Sequence, residues 1–262
     1  MIGGKKMSHK TALITGASSG IGKEFARVLS GMGYRLILTA RRRDRLEDLE
    51  RELNVPCRII TADLDQEEEC FRLWEEIHNE RIDIFINNAG FGTCGSFDET
   101  DLEKEISMIH VNVQAMHILF KLALQKMQEQ KHGRILNVAS SAGLLPAGPY
   151  MAAYYASKAY VVSLTKAAAE ELKESGSPIY VGALCPGPVD TEFNDCADVV
   201  FALPGISAKT CVREAIKGMG RHKVIIVPTF LMKLCTMAQH LLPESLLLRI
   251  VSMQQRKKTG AR

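Results

Sequence analysis

Tyr154 and Lys158 stand four residues apart in Tyr154-Tyr155-Ala156-Ser157-Lys158. On a helix the two side chains lie on one face, about one turn apart. A phenol ordinarily titrates near pH ~10 and a lysine near ~10.4. A cation beside the phenol favours phenolate, so the pair predicts a lowered tyrosine pKa and an acid/base catalyst usable near neutral pH. The competing reading is a buried tyrosine and a surface lysine that share a helix face by chance, since short motifs recur by accident. Tyr155 does not qualify, because the position four residues beyond it is Ala159.

Such a pair needs elements that hold it against a reacting group. Thr11 to Thr15 is a short apolar strand that runs into Gly16-Ala17-Ser18-Ser19-Gly20-Ile21-Gly22. Apolar residues at Ile21, Phe25, Val28, Leu29 and Met32 then follow helical spacing. Strand, glycine turn and helix together aim a helix N-terminus at a phosphate. Gly16 permits the tight turn, Gly20 lets the backbone approach a ligand, and Gly22 lets the helix pack close to the sheet. Gly16, Ser18, Ser19, Gly20, Ile21 and Gly22 are therefore candidate cofactor residues. The spacing is Gly-x-x-x-Gly-x-Gly, which differs from the Gly-x-Gly-x-x-Gly of the common dinucleotide fingerprint.

The second strand, Arg35 to Thr39, ends without the acid that would bind the 2′-hydroxyl of NAD. Ala40 comes next, then Arg41, Arg42 and Arg43. An arginine fork suits a 2′-phosphate, so the expected cofactor is NADP(H), with Arg41 the main contact and Arg42 a second. A solvated basic turn is the competing reading. Asp44 and Glu47 read as a capping pair for the next helix. After the third strand, Arg58 to Thr61, Asp63 sits where a strand end could reach the adenine amino group, with Leu64 beside it; a simple turn residue before the next helix is the competing reading.

The fourth strand, Ile82 to Ile86, is almost wholly apolar, as a strand buried on both faces should be. It leads into Asn87-Asn88-Ala89-Gly90, where Asn88, Ala89 and Gly90 suit close approach to a cofactor. The stretch from about Ile106 to Lys131 is helical by periodicity, with Asn112 inside its apolar part. A mid-helix asparagine is unfavourable, so Asn112 is either a satisfied core amide or a group that disrupts the helix to hold a water.

The fifth strand, Arg134 to Val138, precedes Ser140-Ser141-Ala142-Gly143, and the helix carrying Tyr154 and Lys158 runs to about Glu174. The sixth, Tyr180 to Leu184, leads into Cys185-Pro186-Gly187-Pro188-Val189-Asp190-Thr191; Pro186, Gly187, Val189 and Thr191 complete the cofactor candidates. Residues 190–208 read as a substrate loop, and Val224 to Val227 as a seventh strand. Residues 229–256 read as two amphipathic C-terminal helices interrupted at Pro243. They would cover a substrate pocket, pack on another subunit or, as the lesser alternative, lie on a membrane surface.

Composition sets the outer limits. A chain of 262 residues with 46% hydrophobic content suits one α/β domain, read here as 11–262 after a flexible extension at 1–10. Lys+Arg exceed Asp+Glu by 33 − 30 = 3, too little to argue for nucleic acid. Seven widely spaced cysteines form no disulfide framework, and neither they nor the seven histidines show metal-ligand spacing. The first ten residues do not read as a signal peptide, and no run reads as long and apolar enough to span a bilayer. The expectation is a cytoplasmic protein. Strands alternating with helices predict a doubly wound, mainly parallel seven-stranded sheet of Rossmann type, with helices on both faces and a C-terminal helical extension.

Taken together, the chain resembles the short-chain dehydrogenases/reductases over about residues 10 to 228. The likeness rests on Thr15 to Gly22, Asn87-Asn88-Ala89-Gly90, Ser140, Tyr154 with Lys158, and Pro186 to Thr191, all in the family's order. It implies a nicotinamide cofactor and a catalytic tetrad of Asn112, Ser140, Tyr154 and Lys158. Tyr154 would exchange a proton with the substrate oxygen, Lys158 would lower its pKa and hold the nicotinamide ribose, Ser140 would bond the substrate oxygen, and Asn112 would anchor a relay water. Ser141, not Ser140, stands thirteen residues before Tyr154, the family's usual spacing. The strand register and the Ser-x-x-Gly pattern favour Ser140, and Ser141 remains the alternative.

The expected activity is NADP(H)-dependent interconversion of a secondary alcohol and a ketone, with a bulky apolar substrate such as a hydroxysteroid. A reductase of small or acyl-chain ketones is the alternative within the class. A non-catalytic NADP-sensing regulatory protein is the alternative outside it, although binding alone does not require Tyr154, Lys158 and Ser140 together. A homo-oligomer, dimer or tetramer, is expected.

Overall fold

Short aliphatic runs build the sheet. In the computed structural model, which describes residues 10–192 and 205–259, these runs become β1 (Thr11–Thr15), β2 (Arg35–Ala40), β3 (Cys57–Thr61), β4 (Ile84–Asn87), β5 (Arg134–Val138) and β6 (Tyr180–Leu184). β7 (Val189–Asp190) and β8 (Ile206–Ser207) form a separate parallel pair, and β9 (Ile225–Ile226) returns to the main sheet. The seven-stranded sheet is parallel, in the order β3-β2-β1-β4-β5-β6-β9. The order reverses between β1 and β4, and ligands of open α/β sheets bind beyond the strand ends at such a point.

Helices cover both faces because side chains alternate along each strand. Leu13, Ile37, Phe85 and Ile135 face α3 (Glu67–Ile77), α5 (Met116–Gln130) and α6 (Ala152–Glu174). Ile14, Leu36, Leu38 and Ile86 face α1 (Gly20–Gly31), α2 (Arg43–Glu52) and α7 (Ala208–Gly220). On α1 the buried positions Gly22, Phe25, Ala26 and Leu29 form one stripe. Burying side chains such as Phe25 and Leu29 contributes about 1.5–3 kcal/mol each.

Several boundaries differ from the sequence reading. β4 begins at Ile84, because the Asp83 carboxylate is turned inward and accepts the Thr11 N–H at 2.8 Å. Asp44 lies in the first turn of α2 and does not cap it. Arg42 is the N-cap, and Glu47 accepts from Arg43 instead. The helix expected from Ile106 to Lys131 is α4 (Leu102–Ile109), a π-helical turn (His110–Ala115) and α5 in series. By length and composition this 102–130 stretch is long and apolar enough to cross a bilayer, contrary to the sequence expectation. Its apolar residues Leu119, Phe120, Ala123 and Met127 lie in the sheet's core, which accounts for its hydropathy.

The C-terminal extension consists of α8 (Phe230–Ala238), a 3-10 turn at Gln239–Leu241, and α9 (Glu244–Thr259) just after Pro243. Leu247 and Val251 of α9 are buried against Met108, Met151, Tyr154 and Tyr155. The extension read at 1–10 and the middle of the loop read at 190–208 lie largely outside the described residues.

Candidate active site

The ends of β1 and β4 are tied together. Thr15 Oγ1 accepts the N–H of Asn88 at 2.8 Å and of Ala89 at 3.0 Å, and Asn88 Nδ2 donates to the Thr15 carbonyl at 2.9 Å. Gly16 turns the chain at φ +64°, and a Cβ at Gly22 would collide with the Gly16 carbonyl oxygen. Only glycine lets α1 start this close to the strand. Ser19 caps α1 without a side-chain bond, and the first turn holds no acid. Its positive end is therefore available to an anion. Gly16, Ser18, Ser19, Gly20 and Ile21 line a cleft of about 410 Å³, while Gly22 stands behind them as a packing residue.

At one end of that cleft lie Arg41, Arg42, Asp63 and Leu64. Arg42 is the more engaged arginine. It donates to Ser18 Oγ at 3.1 Å and pairs with Glu192 at 3.2 Å, and Arg45 pairs with the same Glu192 at 2.6 Å. The Arg41 side chain is 66% exposed and, among the described residues, pairs with Asp63 at 3.9 Å. Arg42 is thus tied to neighbouring side chains, while Arg41, the main contact expected from the sequence, stays largely solvated at the same end of the cleft. Asp63 accepts the Asp65 N–H, so part of its role is local turn structure.

The other end holds Tyr154, Ser140 and Lys158. Tyr154 and Lys158 project from α6, and both are buried. Ser140 follows β5 and caps a 3-10 turn, where its Oγ accepts the Ala142 N–H at 3.1 Å. Its hydroxyl is hydrogen-bonded to the Tyr154 phenol. Ser141 also lines the cleft, and its backbone N–H donates to the Pro186 carbonyl at 2.8 Å. Lys158 Nζ donates to the Val138 carbonyl at 3.1 Å and sits 5.9 Å from the Tyr154 ring centroid.

Electrostatics here depart from the sequence expectation. Burial pushes the Tyr154 phenol up to about 12, against the opposing effect of the Ser140 hydrogen bond. Burial also pulls Lys158 down to about 8. Desolvation penalises both charged forms and outweighs the attraction that spacing alone suggests. The protein by itself thus keeps Tyr154 protonated, as a proton donor must be.

Asn112 is a satisfied core amide, and it sits in the π-helical turn. Its Oδ1 accepts the Phe91 N–H at 3.1 Å, and its Nδ2 donates to the Phe91 carbonyl at 2.8 Å and to Ser157 Oγ at 3.1 Å. It does not line the cleft, whereas Asn88, Ala89 and Gly90 do. Pro186, Gly187, Val189 and Thr191 close the cleft from the β6 side. A Cβ at Gly20 would touch Thr191 at 3.3 Å, so this segment lies directly over the glycine turn.

Some functional positions were not singled out from the sequence. Thr15 ties β1 to β4, Ser157 supports Asn112, and Val138 supplies the carbonyl that holds Lys158. Met151, Tyr155, Met232 and Gln255 form part of the cleft wall. The four-residue spacing of Leu247, Val251 and Gln255 is a sequence signal that would have pointed to the last.

The residues present fit a nicotinamide dinucleotide. A glycine cradle opens a helix N-terminus, arginines stand at one end, and a buried proton donor stands at the other. These are features of the short-chain dehydrogenases, and the profile described as short chain dehydrogenase matches residues 10–198. The chain belongs to this family of oxidoreductases, which act on CH–OH and C=O groups with a nicotinamide cofactor. It is 34% identical to a 3-oxoacyl-[acyl-carrier-protein] reductase of Rickettsia prowazekii over 192 residues, covering 72% of this chain and 76% of that one. It is 31% identical to a short-chain dehydrogenase from Sphingobium yanoikuyae solved with NADPH, with a TM-score of 0.78 over 88% of this chain and 94% of that one. It is 28% identical to a bulky-bulky ketone specific alcohol dehydrogenase from Comamonas testosteroni, with a TM-score of 0.74 over 88% and 93% of the two chains.

Proposed function

We propose that this chain is an NADP(H)-dependent oxidoreductase that interconverts a bulky, largely apolar ketone and its secondary alcohol. The observation that carries the chemistry is the buried pair Tyr154 and Lys158, with the half-buried Ser140 hydrogen-bonded to Tyr154, at one end of the cleft. The 2′-phosphate preference rests on Arg42 and Arg41 where an acid would select NAD. The apolar substrate rests on Phe91, Leu145, Met151, Tyr155 and Met232 in the cleft wall.

When bound, the nicotinamide supplies or takes up the hydride. Ser140, whose Oγ already accepts from Ala142, turns its proton toward the tyrosine and substrate oxygens. Tyr154 gives its proton to the carbonyl oxygen in reduction and takes one from the hydroxyl in oxidation. Lys158 would hold the ribose of a bound cofactor and, beside the charge of an oxidised nicotinamide, would favour the phenolate of Tyr154, which burial alone pushes up to about 12. Asn112 fixes the backbone at Phe91 and lies beside Gly90 and Lys158.

The acyl-chain alternative draws support from the Rickettsia relative, and the bulky reading from the Comamonas neighbour. A single experiment separates them: NADPH and NADH oxidation measured against short ketones, acyl thioesters and steroid or diaryl ketones. Tyr154→Phe should abolish turnover while NADPH still binds. Turnover that survives the change removes the catalytic assignment, and a wild type that binds NADPH without turnover favours the regulatory reading. Phe230, Leu234 and Met237 leave an exposed apolar face on α8, which in this reading packs against a second copy. Sedimentation and liposome flotation distinguish that from membrane attachment. One domain over 11–262 and a cytoplasmic location belong to the same proposal.

A further inference from the structure

The C-terminal helix carries one polar side chain into the apolar wall of the cleft. Leu247, Val251 and Gln255 recur every four residues and share a face of α9. Leu247 and Val251 are buried in the cluster around Tyr154 and Tyr155. Gln255 continues the stripe and is 2% exposed. Its Nε2 donates to the Tyr155 hydroxyl at 2.5 Å. Its Oε1 is buried and has no hydrogen-bond partner among the described residues.

The side chain that carries that oxygen forms part of the wall of the reacting pocket. Gln255 lines the same cleft as Tyr154, Ser140 and Lys158. The Tyr154 and Tyr155 rings meet edge-on with centroids 6.4 Å apart, so the proton donor and Gln255 are joined through one aromatic pair. Arg256, the next residue, donates to the Tyr150 hydroxyl at 2.8 Å and holds this end of α9 in place. The bond to Tyr155 accounts for the amide nitrogen but not for the amide oxygen. Leucine or methionine would fill the stripe without burying an unpaired oxygen, which is costly. A ligand hydroxyl would repair that deficit.

We propose that Gln255 is a substrate-recognition residue, and that its free amide oxygen accepts a hydrogen bond from a hydroxyl carried by an otherwise apolar ketone at a distance from the reacting carbonyl. The proposal rests on the ketone–alcohol reading above and narrows its substrate class to hydroxyketones and the matching diols. The carbonyl is seated at Tyr154 and Ser140, and the far part of the molecule meets Gln255. Sites built to bond a substrate hydroxyl discriminate against analogues that lack it, because the site's own polar group is then left unpaired.

The test uses the full chain with NADPH and matched ketones that differ by one hydroxyl: androsterone against its deoxy ketone, and hydroxybenzophenone against benzophenone. In at least one pair the hydroxylated member should have a kcat/KM higher by about tenfold or more. In Gln255→Met that ratio should fall to near one, with NADPH binding by fluorescence as the control for fold. A wild-type ratio near one in both pairs overturns the proposal whatever the variant does. A Gln255→Met that lowers both members of a pair equally also overturns it, since that is the mark of a structural role. Absence of turnover with every ketone overturns the oxidoreductase reading and this proposal with it, whereas turnover without hydroxyl preference overturns this proposal alone.

Discussion

Asn112 and Lys158 converge on the Cα of Gly90: a Cβ built there would lie 2.7 Å from Asn112 Oδ1 and 3.2 Å from Lys158 Nζ. Three segments distant in sequence meet at this point, and the absence of one methyl group is what lets them. Asn112 cannot yield easily, because both ends of its amide are bonded to Phe91.

Gly90→Ala should therefore push Lys158 or Asn112 out of place. We expect kcat to fall about tenfold or more, and stability by about 1–3 kcal/mol, as overpacking usually costs. Steady-state kinetics with thermal unfolding checks this; full activity in the variant would show that the convergence is not needed.

Lys158 should leave a signature in the pH dependence of stability. Its folded value of about 8 lies below the ordinary 10.5, so between those two values the unfolded chain binds more protons than the native one. Stability contributed by this group therefore rises with pH across that window. Relative to Lys158→Met, the wild type should gain on the order of 3 kcal/mol between pH 8 and 10.5, with a flat difference below pH 8. Denaturant unfolding of the two proteins across the window measures it, and a constant difference would refute the buried lysine's shift.

The two cleft arginines should differ in weight. Arg42→Ala should raise the KM for NADPH about tenfold or more and leave NADH nearly unaffected, because Arg42 bridges Ser18 and Glu192 at the mouth of the cleft. Arg41→Ala should cost less than about threefold, since its side chain is mostly solvated. The reverse order in cofactor kinetics would restore Arg41 as the main contact.

Ser140 and Ser141 can be separated by single substitutions. Ser140→Ala removes the hydroxyl bonded to Tyr154 and should lower kcat by about 10²-fold. Ser141→Ala leaves its backbone bond to Pro186 intact and should lower kcat by less than about threefold. Equal losses would mean that both hydroxyls reach the substrate.

Much of the architecture could be read before any coordinates. All seven sheet strands fall where aliphatic runs place them, because a strand buried on both faces must be apolar throughout, and such runs are easy to see. The glycine turn was legible for a similar local reason: Gly16 at positive φ and Gly22 against the Gly16 carbonyl are demands of one short segment. The helix pattern around Asn112 read as continuous, although a π-helical turn interrupts it. The signal for that turn lies in side-chain bonds to Phe91 and Ser157, which periodicity does not report.

By itself, the sequence determined the strand–helix alternation, the cofactor cradle and the pairing of Tyr154 with Lys158 on one helix face. These follow from spacing along a single element. Only the tertiary structure decided that Tyr154 is held near 12 and Lys158 near 8, that Ser140 is the serine on Tyr154, and that Gln255 closes the cleft. Those outcomes depend on desolvation and on contacts between segments up to a hundred residues apart, and spacing carries no information about either.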